Sequence, residues 1–431
     1  MDRSRIRNAL GAVLLVSLSL SGCTPAPSDL GGRDDITAPT SAAPPPAPIP
    51  PAGFDLSHSV TLEANGWRGV LDGLDYYLLD HNANIVGIDV AEGKTKFHTS
   101  LTGQDSGEER WICPSHAVDE HNVYTVATNS SETYMPTRVV LTAVSKQTGQ
   151  VLWRFWHEST LLSYPAECYM VVDYDITPTP AGVVLSMWQW DESANDVEYT
   201  SVLLDPASGD TLWSADEFVF AAPGSNIAFM QDTGLTVVDL SSFNKHTALN
   251  TPPLPKNTET GYYLAGQIGD NILVLRQDMS MDEYMDDGPP EATTTVFLID
   301  AGTGSLAPGE PVTLESQDYF YGCQTTAEAL VCSGTIDPLS VSGVSLQDGS
   351  TLWQRNHSVE DWDLQPPDPV LFAGYLYGHT EDSSFVLDTS TGNTVSTGDW
   401  PQPLAVNEAG MVYEVIDYEA DEQELTWVPA K

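Results

Sequence analysis

From about residue 54 to the end of the chain, apolar residues fall in short runs rich in Val, Ile, Leu and Tyr. Clusters of Gly, Asp, Ser and Thr separate them. The runs "HNVYTVAT" (121–128), "GVVLSMWQW" (182–190), "DNILVLRQD" (270–278), "EALVCSG" (328–334) and "GYLYGHT" (374–380) have the length and β-branched content of strands rather than helices. Almost no stretch carries a helical period.

After each such run comes a second pattern with a fixed frame of strand, turn and strand. Three copies are close: "AVSKQTGQVLW" (143–153), "LLDPASGDTLW" (203–213) and "GVSLQDGSTLW" (343–353). Looser copies are "GIDVAEGKTKF" (87–97), "LIDAGTGSLAP" (298–308) and "VLDTSTGNTVS" (386–396), and "VVDLSSFNKHT" (237–247) lacks the glycine. The Asp or Ser that opens the turn can hydrogen-bond the turn backbone. The glycine four residues later (Gly149, Gly209 and Gly349 in the close copies) suits a positive φ, so the frame reads as a hairpin with a longer loop. Trp153, Trp213 and Trp353 then ride on the outermost strand.

The turn-opening residues Asp89, Ser145, Asp205, Asp239, Asp300, Ser345 and Asp388 are spaced 34 to 61 residues apart. That leaves room for about four short strands per unit. A repeated four-stranded unit points to an all-β propeller, which removes exposed sheet edges by closing on itself. Residues 403–430 hold three further strand-like runs, and "SHSVTLE" (57–63) supplies one before the first unit. An N-terminal strand completing the last blade gives eight blades; seven is the alternative count.

The A-x-D-x-x-[TS]-G-x-x-x-W frame resembles the docking motif of quinoprotein alcohol dehydrogenase-like propellers, also called pyrroloquinoline-quinone-like repeats. The resemblance covers essentially the whole chain after residue 53. It implies that Trp153, Trp213 and Trp353 stack on the turn of the next blade. The frames ending at Phe97, Pro308 and Ser396 depart from the motif. In family members that oxidise alcohols or sugars, the resemblance also implies an adjacent cysteine pair, calcium ligands and an Asp base. This chain has no Cys-Cys dipeptide, and no position matches the ligands or the base, so a pyrroloquinoline-quinone cofactor is not expected.

The first 22 residues are built differently. Arg3, Arg5 and Arg7 precede an apolar run from Ala9 to Leu20, which is too short to span a bilayer and suits an export signal. The following Leu20-Ser21-Gly22-Cys23 resembles the bacterial lipobox, implying cleavage before Cys23 and its acylation. Residues 23–53 are rich in Pro and Ala and form the expected tether. The propeller is expected over 54–431, on the extracytoplasmic face of the cell membrane.

Charge narrows the partners. The chain has 61 acidic and 16 basic residues and a net charge of −45. This balance opposes nucleic-acid binding and repels an anionic lipid surface. With Cys23 lipidated, four cysteines remain in an oxidising compartment, which favours disulfides. In the propeller layout Cys113 and Cys168 occupy matching positions in consecutive blades, and Cys323 and Cys332 lie on two arms of one hairpin. The expected bridges are therefore Cys113–Cys168 and Cys323–Cys332. A cluster at Asp282, Glu283, Asp286 and Asp287 is a candidate calcium site, although its spacing matches no helix-loop-helix calcium loop. The nine histidines form no ligand motif, and no catalytic residue is assigned. The aromatic, acidic connectors 109–113, 163–175, 316–323 and 357–368 suit a recognition rim. The sequence thus points to a monomeric, non-catalytic envelope lipoprotein that binds a protein or polymer partner. A quinone-dependent dehydrogenase and a ligand or cation sensor are the alternatives.

Overall fold

A computed structural model describes residues 49–431 except 64–65, 67–68, 104–109, 131–134, 164–172, 192–195, 232–234, 247–257, 269, 281–291, 308–310, 315–319, 326–328, 335–339, 348, 357–369, 380–382 and 418–421. Among the described residues, thirty-two strands form eight four-stranded antiparallel sheets.

Blade 1 holds β2 (Val70–Asp72), β3 (Asp75–Leu79), β4 (Asn84–Asp89) and β5 (Lys94–Ser100). Blade 2 holds β6 (Arg110–Val118), β7 (Asn122–Ser130), β8 (Met135–Ser145) and β9 (Val151–Ser163). In blade 3 are β10 (Asp173–Thr179), β11 (Gly182–Asp191), β12 (Asp196–Leu204) and β13 (Thr211–Ala215). Blade 4 holds β14 (Val219–Ala221), β15 (Ile227–Gln231), β16 (Leu235–Asp239) and β17 (Asn244–His246). Blade 5 comprises β18 (Thr258–Ile268), β19 (Asn271–Ser280), β20 (Ala292–Asp300) and β21 (Val312–Thr313). Blade 6 comprises β22 (Phe320–Thr325), β23 (Ala329–Gly334), β24 (Ser340–Ser345) and β25 (Thr351–Asn356). Blade 7 follows with β26 (Val370–Phe372), β27 (Tyr375–His379), β28 (Ser384–Asp388) and β29 (Thr394–Gly398).

The last blade takes strands from both ends of the chain. Its order is β1 (Val60–Thr61), β32 (Glu422–Pro429), β31 (Gly410–Asp417) and β30 (Pro403–Asn407). The N-terminal strand is thus the outer edge of blade 8, and the ring closes as a clasp. The clasp takes in residues ahead of 54. The Tyr377 hydroxyl donates to the Pro51 carbonyl at 2.9 Å, and the Lys431 N–H donates to the Gly53 carbonyl at 3.0 Å. Phe54 sits between Tyr377 and Trp400, with ring centroids 5.8 and 5.6 Å away.

The core is divided. Eight clusters of buried apolar residues each lie between one pair of neighbouring blades. Alternate residues of a strand point to opposite sheet faces, so Val184 and Leu203 pack toward blade 4 while Val183, Leu185 and Leu204 pack toward blade 2. Both faces of a blade are buried. That is why its central strands read as continuous apolar runs instead of an apolar–polar alternation. Blade 6 carries a disulfide between Cys323 and Cys332, directly opposed on β22 and β23.

Candidate functional site

In a four-stranded meander, the connection between the first and second strands lies at the same end as the turn between the third and fourth. This end of the ring is tied together by backbone hydrogen bonds. At five of the turns the residue after the opener donates to the connection between the first and second strands: Val90 to Leu74, Lys146 to His121, Leu240 to Asn226, Ala301 to Asp270 and Thr389 to Gly374. Side chains add ties between blades. Lys146 pairs with Asp72 of blade 1, and Asn407 Nδ2 donates to the Gly73 carbonyl at 2.6 Å.

The repeated turns share one geometry. The glycine N–H donates to the carbonyl of the opener, at 2.8 Å for Gly149, Gly209, Gly304 and Gly392. Asp openers brace the turn with the side chain as well: Asp205 Oδ1 accepts from the Ala207 and Ser208 N–H groups at 2.8 and 2.9 Å. Hydrogen bonds hold the carboxyls of Asp205, Asp239, Asp300 and Asp388 below the ordinary Asp value. The leading donors are the Ser208 N–H and the side chains of Ser241, Thr303 and Ser390 respectively.

Onto these glycines press side chains of the preceding blade. Trp153 covers Gly209, where a Cβ would lie 2.7 Å from the indole, and its Nε1 donates to the Pro206 carbonyl at 2.9 Å. Trp353 covers Gly392 and donates to the Thr389 carbonyl at 2.7 Å. Phe97, which departs from the Trp frame, covers Gly149 in the same way. Gly349 meets Val312 and the Thr313 carbonyl of β21 instead of an aromatic ring.

Trp213 differs. The turn it faces, in blade 4, has Phe243 where the other turns have glycine. Phe243 nevertheless adopts φ +57°, and its N–H donates to the Asp239 carbonyl at 2.7 Å. The turn conformation is kept with the wrong residue type. Trp213 stacks on the Phe243 ring, with centroids 6.4 Å apart and planes 15° from parallel. Among the described residues its Nε1 has no hydrogen-bond partner, unlike Trp153 and Trp353. Sequence reading notes the missing glycine. Counting four residues from Asp239 would also have put Phe243 in the left-handed position.

Polar groups are buried between blades. His116, Thr125, Thr142 and Arg154 face one another across the four strands of blade 2. The Thr142 hydroxyl donates to the Leu101 carbonyl at 2.6 Å, and Arg154 Nε to the same oxygen at 2.9 Å. Burial pushes the His116 imidazole down to about 4, so it is neutral at physiological pH. These contacts tie blade 2 to blade 1. In the chemistry they offer, they are interior packing.

The calcium candidates Asp282, Glu283, Asp286 and Asp287 lie outside the described residues, as do Cys23 and Cys168; Cys113 falls within β6, with its side chain undescribed. The expected Cys113–Cys168 bridge therefore lies outside the described residues. Among the described residues no group of His, Cys, Asp or Glu is placed to hold a metal ion. Most of the four aromatic connectors also fall outside. Of those described, Trp111 is buried against Trp156, with ring centroids 6.0 Å apart.

No protein-family profile matches the chain, and no curated protein matches it in sequence. In structure it is similar to the computationally designed Ika8 protein (TM-score 0.47, 14% identity, 87% of this chain and 100% of that one covered). It is also similar to the Dos1 propeller (TM-score 0.49, 11% identity, 86% and 93% covered). A third is the quinohemoprotein alcohol dehydrogenase from Comamonas testosteroni (TM-score 0.41, 12% identity, 84% and 66% covered). All three scores are below 0.5, so the propeller assignment rests on the strand order of this chain itself.

Proposed function

We propose that the chain is a non-catalytic, lipid-anchored envelope protein of the quinoprotein-like propeller type, whose ring is a rigid scaffold for a partner protein. The observation that carries this reading is the inequality of the two ends of the ring. At the turn end, first and second strands are joined by as few as two residues (73–74, 180–181, 373–374). At the other end the strands leave and re-enter across segments such as 281–291 and 357–369. Those two segments, "MDEYMDDGPPE" and "HSVEDWDLQPPDP", hold nine acidic residues and no Lys or Arg. A stiff frame with variable acidic connections at one end is the usual arrangement for recognition by loops.

The anchor reading rests on the Cys23 lipobox and on the Pro/Ala-rich segment after it. Palmitate labelling of the full-length chain tests it: label lost in Cys23→Ala supports acylation, and label retained rejects it. Chemical cross-linking in native membranes tests the scaffold. Recovery of one stoichiometric protein supports it. Recovery of none, together with oxidation of an alcohol or sugar by the purified chain given quinone and calcium, supports the dehydrogenase alternative instead.

A further inference from the structure

The outer strand of blade 8 is built unlike the others. In blades 1 to 7 the fourth strand follows the third in the chain, so the outer strand is continuous with its own sheet. In blade 8 no turn joins β32 to β1, and the chain reaches β1 from the tether instead. Residues 51–63 therefore have two roles at once. They are the last stretch of chain between Cys23 and the blades, and they close the ring.

The contacts of this segment reach three blades. The Tyr377 hydroxyl of blade 7 donates to the Pro51 carbonyl. Phe54 is 1% exposed and fills the core between blades 7 and 8. Pairing of Val60 with Trp427 and of Thr61 with Thr426 adds the strand to blade 8. Leu62 is 4% exposed and enters the core between blades 8 and 1. The Glu63 N–H then donates to the Gly93 carbonyl in the blade 1 turn at 3.0 Å. One fully buried apolar residue thus plugs each of two neighbouring junctions. The pairing between the plugs is short, since β1 has two residues against eight in β32. Phe54 opposes Ala430, so Pro51 and Lys431 lie at the same end of the β1–β32 pair. A load applied between the two chain ends breaks this pairing one hydrogen bond at a time. Segments held by few buried contacts open at the low end of a protein's stability range.

We propose that residues 51–63 are a strap that tension on the tether peels from the ring, opening the blade 7–8 and 8–1 junctions while the other six stay closed. The inference rests on the lipid-anchor reading, which supplies the tension. Force entering at Cys23 and resisted by a bound partner meets the strap before any other element of the ring. Once Phe54 leaves, the Tyr377 and Trp400 rings lose the side chain that separates them. The N–H and C=O groups along β32 then form a free sheet edge, which is a template for adding another strand. The peeled ring therefore offers a partner surfaces that the closed ring hides. Closure is recoverable, because the strap stays covalently joined to blade 1 through residues 64–69.

The test stretches the tethered chain, residues 23–431, between handles at its two ends in an optical trap. The strap should leave first, as a separate step that reforms on relaxation. That step should lengthen the chain by about 13 residues, roughly 45 Å at ~3.5 Å per residue, with the main unfolding following at higher force. Phe54→Ala should lower the force of the first step by about twofold and leave the main step in place. Trp153→Ala, at a junction the strap does not touch, should lower the main step and leave the first in place. A single rip with no earlier step overturns the inference. So does a first step that Phe54→Ala leaves unchanged, or one that Trp153→Ala shifts as much. The palmitate experiment keeps the two readings apart. Label retained in Cys23→Ala sinks the anchor and with it the tension, whereas a one-step record with the label lost sinks the strap alone.

Discussion

Two kinds of blade junction solve the same problem differently. Between blades 2 and 3, and again between 6 and 7, a tryptophan lies flat on a glycine turn and hydrogen-bonds the carbonyl just past the turn opener. Between blades 3 and 4 the tryptophan meets a phenyl ring and stays partly exposed, and among the described residues its N–H has no hydrogen-bond partner. The first arrangement fixes the indole with a directed bond, whether the ring is buried, as in Trp153, or partly exposed, as in Trp353. The second supports it through a ring stack alone. The turn itself is indifferent to the exchange, since the backbone bond that closes it at Gly149, Gly209, Gly304, Gly349 and Gly392 is also made at Phe243. What glycine provides at these junctions is therefore room for the neighbouring blade, in addition to an easy positive φ.

The largest effect should come from removing the docked indole. Trp153 is 6% exposed, and Trp153→Ala loses both its packing and the bond to Pro206, an expected destabilisation of about 3–5 kcal/mol. Trp213→Ala should cost about 1–2 kcal/mol, because that ring is already partly in water and makes no such bond. Urea unfolding midpoints of the two variants measure the difference directly. Equal shifts would mean that the bond to the turn carbonyl contributes nothing.

Filling the room comes next. Gly209→Val places a branched side chain at φ +74° against the Trp153 indole, and about 2–4 kcal/mol should be lost. Phe243→Gly makes the opposite change at the neighbouring junction. Relief of the left-handed residue and loss of the Trp213 stack nearly offset, so its unfolding midpoint should move by no more than about 1 kcal/mol equivalent. A loss as large as that of Gly209→Val would show that the stack, not the turn, holds blades 3 and 4 together.

The contrast also marks where sequence reading succeeds and where it stops. Strand, turn and strand recur at a legible spacing because each blade buries both faces, leaving unbroken apolar runs between turn residues. The closing strand at 57–63 was legible for the same reason, since three strands at the C-terminus lack a fourth. The packing role of Phe97 was not, because its frame lacks Trp and only the neighbouring Gly149 reveals what a flat ring must cover. Nor was the start of the clasp, since Pro51 and Gly53 share the composition of the tether and differ only in meeting Tyr377 and Lys431.

The smallest expected effect distinguishes the two kinds of turn opener. Asp205 and Asp300 brace their turns with ionised carboxylates, whereas Ser145 and Ser345 use neutral hydroxyls. In the unfolded chain these Asp carboxyls titrate near 3.8, and in the folded protein they titrate lower. Their contribution is therefore complete above that unfolded value and disappears as pH falls through the folded one. The double variant Asp205→Ser/Asp300→Ser should melt slightly below wild type at neutral pH, with the gap closing below pH about 3.5. Both proteins should first gain stability on mild acidification, as the net charge of −45 is reduced and self-repulsion falls. That shared rise cancels in the comparison. A gap that survives at low pH would assign the bracing to the shape of the side chain, because a protonated carboxyl accepts the turn N–H groups far more weakly than an ionised one.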